Sequence, residues 1–391
     1  MSEEVPGAKR SRGHDDVDRL SALPDALLHS IISSLPAWQA VQTSVLSRRW
    51  RYLWRSTPCL DVDGDRFTSS KSTAAGASWL SNKLSKEGWE KLENFTTNLL
   101  MYHRAATLDR FRLHISLENQ PTLHHEIHED VVKHIGRWVR WGAAHHPVAI
   151  EVSLGRFINF NNIRVPPLVS ASRSLRSLRL LGLVLDSGFA DHLRSASPVL
   201  EDLELRWCRY YYFTDIVSST LKSLTIDSCT NTFGDQQQHL SVTAPKLASL
   251  TVILESPASQ YVILLNGADC LATASITAGE GGPKLRAKSA KSLCGLLSKL
   301  VNVRNLRLAS FRQMNSPSLE KITLKHCEIS GGSYGKRRNR YFECRSLRIH
   351  KPQGFKHYEV EYKQNELPEL FELLSGNWLP TIGTTVIITK I

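Results

Sequence analysis

The N-terminal part of the chain carries apolar residues at helical spacing. Pro24 stands where a helix can begin, and Pro36 stands where that helix must end. One broad apolar stripe between them is formed by Leu27, Leu28, Ile31, Ile32 and Leu35. A second short helix follows through Ala40, Val41 and Val45. Ser47 can cap a third helix, in which Trp50, Leu53 and Trp54 share one face.

These three predicted helices carry more apolar surface than they can bury among themselves. A unit of about 40 residues seldom has enough core to fold alone. The surplus face therefore packs either on the rest of the chain or on another protein, and periodicity does not decide between the two.

Helices and strands alternate in the next part of the chain. Residues 61–75 are rich in Asp, Gly, Ser, Thr and Lys, which predicts a solvated loop and a domain boundary near residue 60. Helical spacing of apolar residues returns at 79–103 and again at 131–141. Strict alternation at 148–154 predicts a half-buried strand.

A leucine pattern recurs behind these elements. Leu-x-x-Leu-x-Leu is clearest at residues 175–180, 200–205 and 221–226, weaker copies begin at 247, 303, 319 and 344, and a poor copy lies at 271–276. The first four copies begin 21 to 26 residues apart, which matches the leucine-rich-repeat period of one strand and one return segment per unit. Cys208, Cys229 and Cys327 follow the last aliphatic position by three residues and are expected to fill a small buried site.

The repeat array is irregular. Its spacing shrinks to 16 residues between Val303 and Leu319, and the glycine-rich residues 278–291 predict a loop. A terminal strand at 384–389 is expected to cap the solenoid, whose end would otherwise be an open edge. The predicted fold class is α/β, with a small three-helix unit followed by an irregular leucine-rich-repeat solenoid.

The composition is that of an ordinary folded protein. Hydrophobic residues make up 41% of the 391 residues and charged residues 22%, so disorder is not expected over most of the chain. No apolar run approaches the roughly 20 residues of a membrane-spanning helix, and the N-terminus does not resemble a secretory signal. Seven cysteines without paired short spacing fit a reducing compartment. We expect the protein in the nucleus or the cytoplasm.

The N-terminal unit also resembles a known family. Residues 18–36, continued by 40–50 and by Leu53 and Trp54, resemble the F-box of plant F-box/leucine-rich-repeat proteins almost position for position. Residues 108–115 resemble the opening strand of the same family. The resemblance implies a flexible tail at 1–17, an F-box at 18–58, a linker and helical segment at 59–107, and a leucine-rich-repeat domain with a C-terminal cap at 108–391.

The same resemblance implies a role. The family's F-box binds an SKP-type adaptor, and a cullin through it, so that the leucine-rich repeats bring a protein target to a ubiquitin ligase. Such a subunit is not itself an enzyme and needs no cofactor. Carried onto matching positions, the adaptor contacts are Leu23, Pro24, Leu27, Ile31, Leu35, Pro36, Val41, Leu46, Trp50 and Leu53. Some of these residues must belong to the unit's own core.

Target binding is expected on the residues between the leucines, which project from the concave side of a solenoid. The charged candidates are Arg179, Asp202, Glu204, Arg206, Arg307, Lys321, Lys325 and Arg348. The later strands are basic, which favours an acidic or phosphorylated target patch. These charges can equally serve only to keep the sheet soluble.

Other chemistry finds little support in the sequence. His124 and His128 are four residues apart, but the spacing and number of ligands that zinc requires are missing, and we predict no metal site. Neither a phosphate loop nor a nucleophile motif is present. The net charge of +12 and the short basic clusters at 9–12 and 336–340 leave a nucleic-acid-binding protein as one alternative. An F-box scaffold that acts outside ubiquitination is the other.

Overall fold

The computed structural model describes residues 22–70, 82–117, 128–155, 163–166, 168, 173–231, 239–254, 262–278, 296, 300, 303, 305–309, 321–332, 340–350, 357–362 and 385–390. The predicted N-terminal tail, both basic clusters apart from Arg340, His124 and most of the predicted glycine-rich loop lie outside these residues.

The N-terminal unit consists of two α-helices and two 3-10 helices. Helix α1 spans Asp25–Ser33 and α2 spans Ala37–Gln42, and the 3-10 helices span Thr43–Val45 and Trp50–Ser56. Pro24 and Pro36 are the N-cap residues of α1 and α2, positions where a missing N–H group costs nothing. The third predicted helix is therefore a 3-10 helix, and it begins after Arg49 rather than at a Ser47 cap.

Thirteen of the described strands form one sheet. Its parallel part contains, in order, β1 (Cys59–Asp63), β4 (Arg110–His114), β5 (Ala149–Ser153), β6 (Ser177–Leu181), β8 (Asp202–Arg206), β11 (Ser223–Asp227), β14 (Ser249–Leu254), β16 (Thr273–Ala278) and β17 (Asn305–Ala309). The predicted strand at 148–154 and the repeats at 175, 200, 221, 247, 271 and 303 are thus confirmed, because each supplies a parallel strand.

The return segments are partly helical and partly extended. Helices α3 (Lys86–Tyr102), α4 (His128–Ala144) and α5 (Ser187–Ala196) lie in the earlier units. Short strands replace helices later and form two small parallel sheets: β7 (Val184–Asp186), β9 (Arg209–Tyr211) and β12 (Thr230–Asn231) in one, and β10 (Asp215–Val217), β13 (His239–Thr243) and β15 (Val262–Asn266) in the other. A two-residue pair, β2 (Ser69–Ser70) and β3 (Asn82–Lys83), precedes α3.

The sheet begins earlier than the sequence predicts. Residues 59–107 were expected to be a linker with a helical segment, and residues 61–75 a solvated loop. Strand β1 lies inside this span and pairs in parallel with β4, with Leu60 opposite Phe111 and Val62 opposite Leu113. Leu60 and Val62 are buried, so residues 59–63 form the first strand of the sheet and are not part of a linker or loop. Residues 71–75 of the predicted loop lie outside the described residues.

The last two predicted repeats are wrong. Residues 321–324 of the first lie on β18 (Lys321–Gly332), and residues 344–349 of the second lie on β19 (Arg340–His350). The two strands pair antiparallel, with Ile322 opposite Ile349. Residues 319–320 lie outside the described residues. Strand β20 (His357–Tyr362) extends this antiparallel part, and β21 (Thr385–Lys390) lies between β17 and β18. The expected terminal strand therefore does pair with the last parallel strand, but antiparallel to it.

The core lies on the inner side of the parallel strands. Alternate residues of the parallel strands from β1 to β16 are buried, as Leu203 and Leu205 on β8 and Leu224 and Ile226 on β11 show. Cys208 and Cys229 are fully buried, and their thiols donate to the carbonyl oxygens of Leu180 and Leu205 at 3.4 Å. They are structural, as predicted. Cys327 stands opposite Cys344 on the antiparallel hairpin and so does not occupy the repeat position.

None of the helices that the structure describes combines the length and apolar character needed to span a lipid bilayer.

Candidate functional site: exposed helical residues and the open face of the sheet

The N-terminal unit exposes four large aliphatic side chains. Leu27 and Ile31, one turn apart on α1, are 52% and 40% exposed, whereas their neighbours Leu28 and Ile32 are buried. Val45 and Leu46 are 84% and 60% exposed after α2. We call Leu27, Ile31, Val45 and Leu46 the exposed apolar set.

An ion pair holds the two parts of this set in one unit. Nη2 of Arg49, three residues after Leu46, lies 2.6 Å from Oδ1 of Asp25, two residues before Leu27. The pair joins the residue that precedes the 3-10 helix Trp50–Ser56 to the first residue of α1. Because each residue of the pair is substantially exposed, its own contribution to stability is small.

The other side of the unit packs into the core of the chain. The buried apolar residues on this side are Leu28, Ile32, Ala37, Ala40, Trp50 and Trp54. Of the two outcomes that the sequence left open for the surplus face, packing on the chain itself therefore accounts for one set of side chains, and the exposed apolar set is not covered by the described residues.

The structure sorts the ten predicted adaptor contacts by exposure. Pro24, Leu27, Ile31 and Leu46 are exposed, and Leu23, Leu35, Pro36, Val41 and Leu53 are half-buried. Trp50 is only 3% exposed, so its place is in the core and not on an accessible surface. Val45 and Tyr52, absent from the ten, are strongly exposed. Val45 lies on the apolar pattern of the second helix, which was the available signal.

The N-terminal unit is joined directly to the sheet. The amide nitrogen of Arg104, after α3, donates to the carbonyl oxygen of Arg55 at 2.6 Å, and that of Asp109 donates to the carbonyl oxygen of Pro58 at 2.7 Å. Nε2 of His103 lies 3.1 Å from the carbonyl oxygen of Thr57, and both residues are buried. Burial lowers the pKa of His103 to about 4, so its imidazole is neutral at physiological pH.

The second candidate surface is the outward side of the parallel sheet. Successive side chains of a strand point to opposite faces, so the residues between the buried ones line up in rows across the strands. One row, which we call the middle row, contains Asp61, Arg112, Glu151, Arg179, Glu204, Thr225, Thr251, Ser275 and, by its backbone position, Arg307.

Charges alternate along the first half of the middle row. Arg112 contacts Asp61 on one side at 3.1 Å and Glu151 on the other at 3.2 Å. Arg179 lies 4.0 Å from Glu151 and 3.2 Å from Glu204. Each of these charged groups thus has an opposite charge beside it, which leaves little net charge on this part of the face.

Burial and pairing act together on the groups at the start of the row. Burial raises the pKa of the Asp61 carboxyl, and the Arg112 guanidinium opposes that rise. Burial alone would lower the pKa of Arg112, but the Asp61 carboxylate outweighs it and raises the pKa. The arginine therefore remains charged while partly removed from water.

Hydroxyl groups replace charges in the second half of the face. The outward positions of β11, β14 and β16 are half-buried, and apart from Asp227 and Ile253 they are serines and threonines: Ser223, Thr225, Ser249, Thr251, Thr273, Ser275 and Thr277. Such side chains both donate and accept hydrogen bonds. We call this group the hydroxyl surface.

The predicted target-binding residues divide into four groups, the first of which is Arg307 alone, whose backbone position is in the middle row. Arg179, Glu204 and Arg206 are engaged with one another, since Arg206 also pairs with Glu204. Asp202 is exposed on the neighbouring row, between Ser177 and Ser223. Lys321, Lys325 and Arg348 lie on the antiparallel strands β18 and β19 and not on repeat strands, so their predicted place in the concave parallel face is wrong.

One group in the described part of the chain brings three metal-binding side chains together. Ligand atoms of Asp63, Asp65 and His114 lie within 4.8 Å of one another. Both ring nitrogens of His114 already have partners, with Nε2 3.2 Å from Oδ2 of Asp65 and Nδ1 3.0 Å from Oγ of Ser153. The hydrogen bond with Asp65 raises the pKa of His114. The two residues therefore form an aspartate–histidine pair.

The N-terminal unit matches a known domain family. The family model of the F-box domain matches residues 20–61, which include the N-terminal helical unit and most of β1. A rice protein described as the meiotic F-box protein MOF is 31% identical over 339 residues, 80% of this chain and 66% of the rice protein.

Two Arabidopsis thaliana proteins are also similar. F-box/LRR-repeat protein 13 is 26% identical over 66% of this chain and 50% of its own length, and a putative FBD-associated F-box protein is 29% identical over 85% of this chain and 77% of its own length. The chain spans about half to two thirds of the length of the first relatives it matches. No solved structure matches the chain.

Proposed function

Since the chain belongs to the plant F-box/leucine-rich-repeat protein family, we propose that it is the substrate-recognition subunit of an SCF-type, cullin-based ubiquitin ligase. The F-box binds an SKP-type adaptor, and the solenoid binds the protein to be ubiquitinated. In this role the chain supplies proximity rather than catalysis, because other subunits transfer the ubiquitin. We propose the nucleus or the cytoplasm as its compartment.

The observation that carries this proposal is the exposed apolar set. Leu27 and Ile31 lie one turn apart on α1, and Val45 and Leu46 follow α2. Other apolar residues of the same two helices are buried in the core: Leu28, Ile32, Ala37 and Ala40. A helical surface of this kind suits a partner that covers apolar side chains in a groove. Because residues 20–61 match the F-box domain, we propose that this partner is an SKP-type adaptor.

The adaptor interface is tested by a charge placed in the exposed apolar set. The full chain carrying Leu27→Asp and Leu46→Asp is co-expressed with an SKP-type adaptor and purified. We expect the adaptor to be lost, because an unpaired carboxylate would have to be buried in the contact. The fold should persist, since both side chains are more than half exposed.

A matched control is Leu264→Asp, which places the same charge at another exposed leucine, on β15. It should bind the adaptor as the wild type does. Equal adaptor recovery with all variants would reject the interface. Adaptor binding without ubiquitination of any captured target in a reconstituted ligase would favour a scaffold outside ubiquitination.

The open face of the sheet is the proposed target surface. Its first half carries paired charges, and its second half is the hydroxyl surface. Such a surface fits a polar target that accepts hydrogen bonds, with Asp202 as an exposed charge at its border. Replacing Thr225 and Thr251 by lysine should lower target recovery and leave the adaptor bound.

A further inference from the structure

A second group of exposed side chains lies where the N-terminal unit meets helix α3. Tyr52, in the last 3-10 helix, and Met101, near the end of α3, are each more than half exposed, and Tyr102 is nearly half exposed. Tyrosine, methionine and arginine are enriched in protein–protein interfaces. We call the group the seam surface, and its residues are Arg51, Tyr52, Arg55, Met101, Tyr102 and Arg104.

Arg55 joins the two halves of the seam surface. Its guanidinium carbon lies 4.6 Å from the ring centroid of Tyr52 and 5.3 Å from that of Tyr102, distances at which a cation is attracted to an aromatic face. The amide nitrogen of Arg104 donates to the carbonyl oxygen of Arg55 at 2.6 Å. Residues of the N-terminal unit and residues at the end of α3 therefore present one continuous surface.

The seam surface adjoins the exposed apolar set. Arg49 lies three residues after Leu46 and three before Tyr52, and it is the N-cap residue of the last 3-10 helix. Because residues three apart lie on the same side of a 3-10 helix, Arg49, Tyr52 and Arg55 share one side. Arg49 also pairs with Asp25, the first residue of α1. One short segment thus links the two surfaces.

The exposed apolar set is too small to form an interface by itself. A specific protein–protein contact buries about 800 Å² and about 20 to 30 residues on each partner, whereas the set consists of Leu27, Ile31, Val45 and Leu46. A partner that covers the set must extend over neighbouring exposed residues as well. The seam surface offers residues of the interface type in an adjoining position.

The seam surface is basic. Arg51 and Arg104 are exposed, and neither these two nor Arg55 makes an ion pair with the residues that the structure describes. Asp109 and Arg110, which lie at the start of β4, are both exposed but opposite in charge, so they leave this excess unchanged. A protein that covers the seam surface must therefore supply carboxylates, because an arginine buried without an anion costs free energy.

We propose that the seam surface is a second contact for the SKP-type adaptor and that it binds an acidic segment of that protein. The inference rests on the proposed function, and it adds Met101, Tyr102 and Arg104, which lie outside the F-box match at 20–61. Guanidinium groups suit carboxylates, which they bind through two parallel hydrogen bonds. A protein is favoured over a nucleic acid, because Arg55 already occupies one face of each tyrosine ring on which a base would stack.

Two substitutions outside the F-box test the contact in the full chain. Arg104→Glu and Met101→Asp place a carboxylate opposite the acidic segment, and each should weaken binding of the purified adaptor about tenfold in isothermal titration calorimetry. Arg104→Glu should also make the affinity less dependent on salt. The matched controls are Arg173→Glu and Leu264→Asp, which introduce the same acidic side chains at exposed positions elsewhere and should bind as the wild type does.

A cross-link of zero length tests the chemistry of the contact. Arg104→Lys keeps the positive charge and adds an amine, which a carbodiimide condenses with a carboxylate only where the two are in direct contact. We expect mass spectrometry to find this position linked to an aspartate or glutamate of the adaptor. The variant Arg173→Lys should give no such link.

The inference is overturned, while the proposed function stands, if Arg104→Glu and Met101→Asp bind the adaptor as tightly as the wild type or if Arg104→Lys gives no link to it. Both are overturned if the wild type does not bind the adaptor. Weaker binding of a single-stranded oligonucleotide by Arg104→Glu, with adaptor affinity unchanged, would assign the seam surface to nucleic acid instead.

Discussion

The alternating charges of the middle row predict the effect of removing Glu151. Its carboxylate accepts from Arg112 at 3.2 Å and lies 4.0 Å from Arg179, and the side chains of Arg112 and Glu151 are each only 31% exposed. Glu151→Gln keeps the shape and one acceptor but removes the charge between two arginines. Exposed ion pairs contribute about 0.2 to 1 kcal/mol, and a half-buried network lies at the upper end of that range. We expect a loss of about 1 kcal/mol in the free energy of unfolding.

The measurement is equilibrium unfolding in urea, with Glu129→Gln as the matched control. Glu129 is 85% exposed and pairs with Lys133 one helical turn away, so its loss should cost only about 0.3 kcal/mol. Added salt should reduce the effect of the Glu129 change more than that of the Glu151 change, because partly buried pairs are less screened. A Glu151→Gln protein as stable as the wild type would refute the reasoning.

The same row also decides between the proposed function and nucleic-acid binding. In the wild type, Arg179 and Arg206 both contact Glu204. The double variant Glu151→Gln, Glu204→Gln would leave these guanidinium groups unpaired. Salt-dependent binding of DNA or RNA should then appear or strengthen relative to the wild type. Tight, steeply salt-dependent binding by the wild type would contradict a neutralised open face.

Three further predictions concern stability and reactivity. Gly142→Ala should lower the free energy of unfolding by about 1 to 3 kcal/mol, because the added Cβ would lie 2.5 Å from the Phe111 ring. Gly136→Ala should raise it by about 0.5 to 1 kcal/mol, because the added Cβ would lie 3.5 Å from its nearest neighbour, the Arg140 side chain, and alanine favours a helix. Both changes are measured by equilibrium unfolding in urea. The pKa of His103 falls from 6.5 to about 4 on folding, so the unfolded chain binds more protons than the folded chain between these two pH values. Wild-type stability should therefore fall as the pH drops from about 6.5 to about 4. A His103→Gln variant should show a shallower fall. Burial raises the pKa of Cys208 well above its usual value, so a thiol reagent should modify the exposed Cys270 in the native protein and Cys208 only after denaturation, as peptide mapping would show.

Period and spacing were enough to predict the parallel part of the sheet. A leucine at Leu203, Leu224 or Leu250 can be buried only if its neighbours stack above and below, so the repeat predicts both the strand and its partner. The same pattern could not detect the antiparallel end. Ile322 and Leu324 alternate as a repeat strand would, and the direction of pairing depends on contacts distant in sequence.

The return segments were less predictable than the strands. Helices α3 and α4 were expected from long amphipathic patterns, whereas α5 was not, because its ten residues contain few apolar positions. Strand β1 was missed for a different reason. Its five residues follow the F-box directly and alternate Leu60 and Val62 with aspartates, a pattern too short to separate from the polar loop after it.

The candidate site was also predictable only where a local pattern carries the information. Sequence identified the apolar residues of the N-terminal unit, but it could not separate Leu27 from Leu28, because both belong to one broad stripe and only the burial of Leu28 in the core distinguishes them. Nor could it detect the paired middle row, because Asp61, Arg112 and Glu151 come from three separate segments that only strand register brings together.

The direct junction between the helical unit and the sheet bears on how the proposed role would work. Strand β1 begins three residues after the 3-10 helix Trp50–Ser56 ends. The carbonyl oxygens of Arg55 and Pro58 accept hydrogen bonds from backbone amides that precede β4. The buried Trp50 and Trp54 belong to the same core as the first strands. Units that share a core and backbone hydrogen bonds move as one body, unlike domains joined by a flexible linker. A target on the open face would therefore be held at a fixed distance and orientation from an adaptor on the exposed apolar set. The effective concentration of the target at the ligase is highest when the distance that the chain imposes matches the distance between the target and the ubiquitin-transferring subunits. The pairing of β1 with β4 helps to set that distance, so it contributes to the proposed activity together with the two binding surfaces.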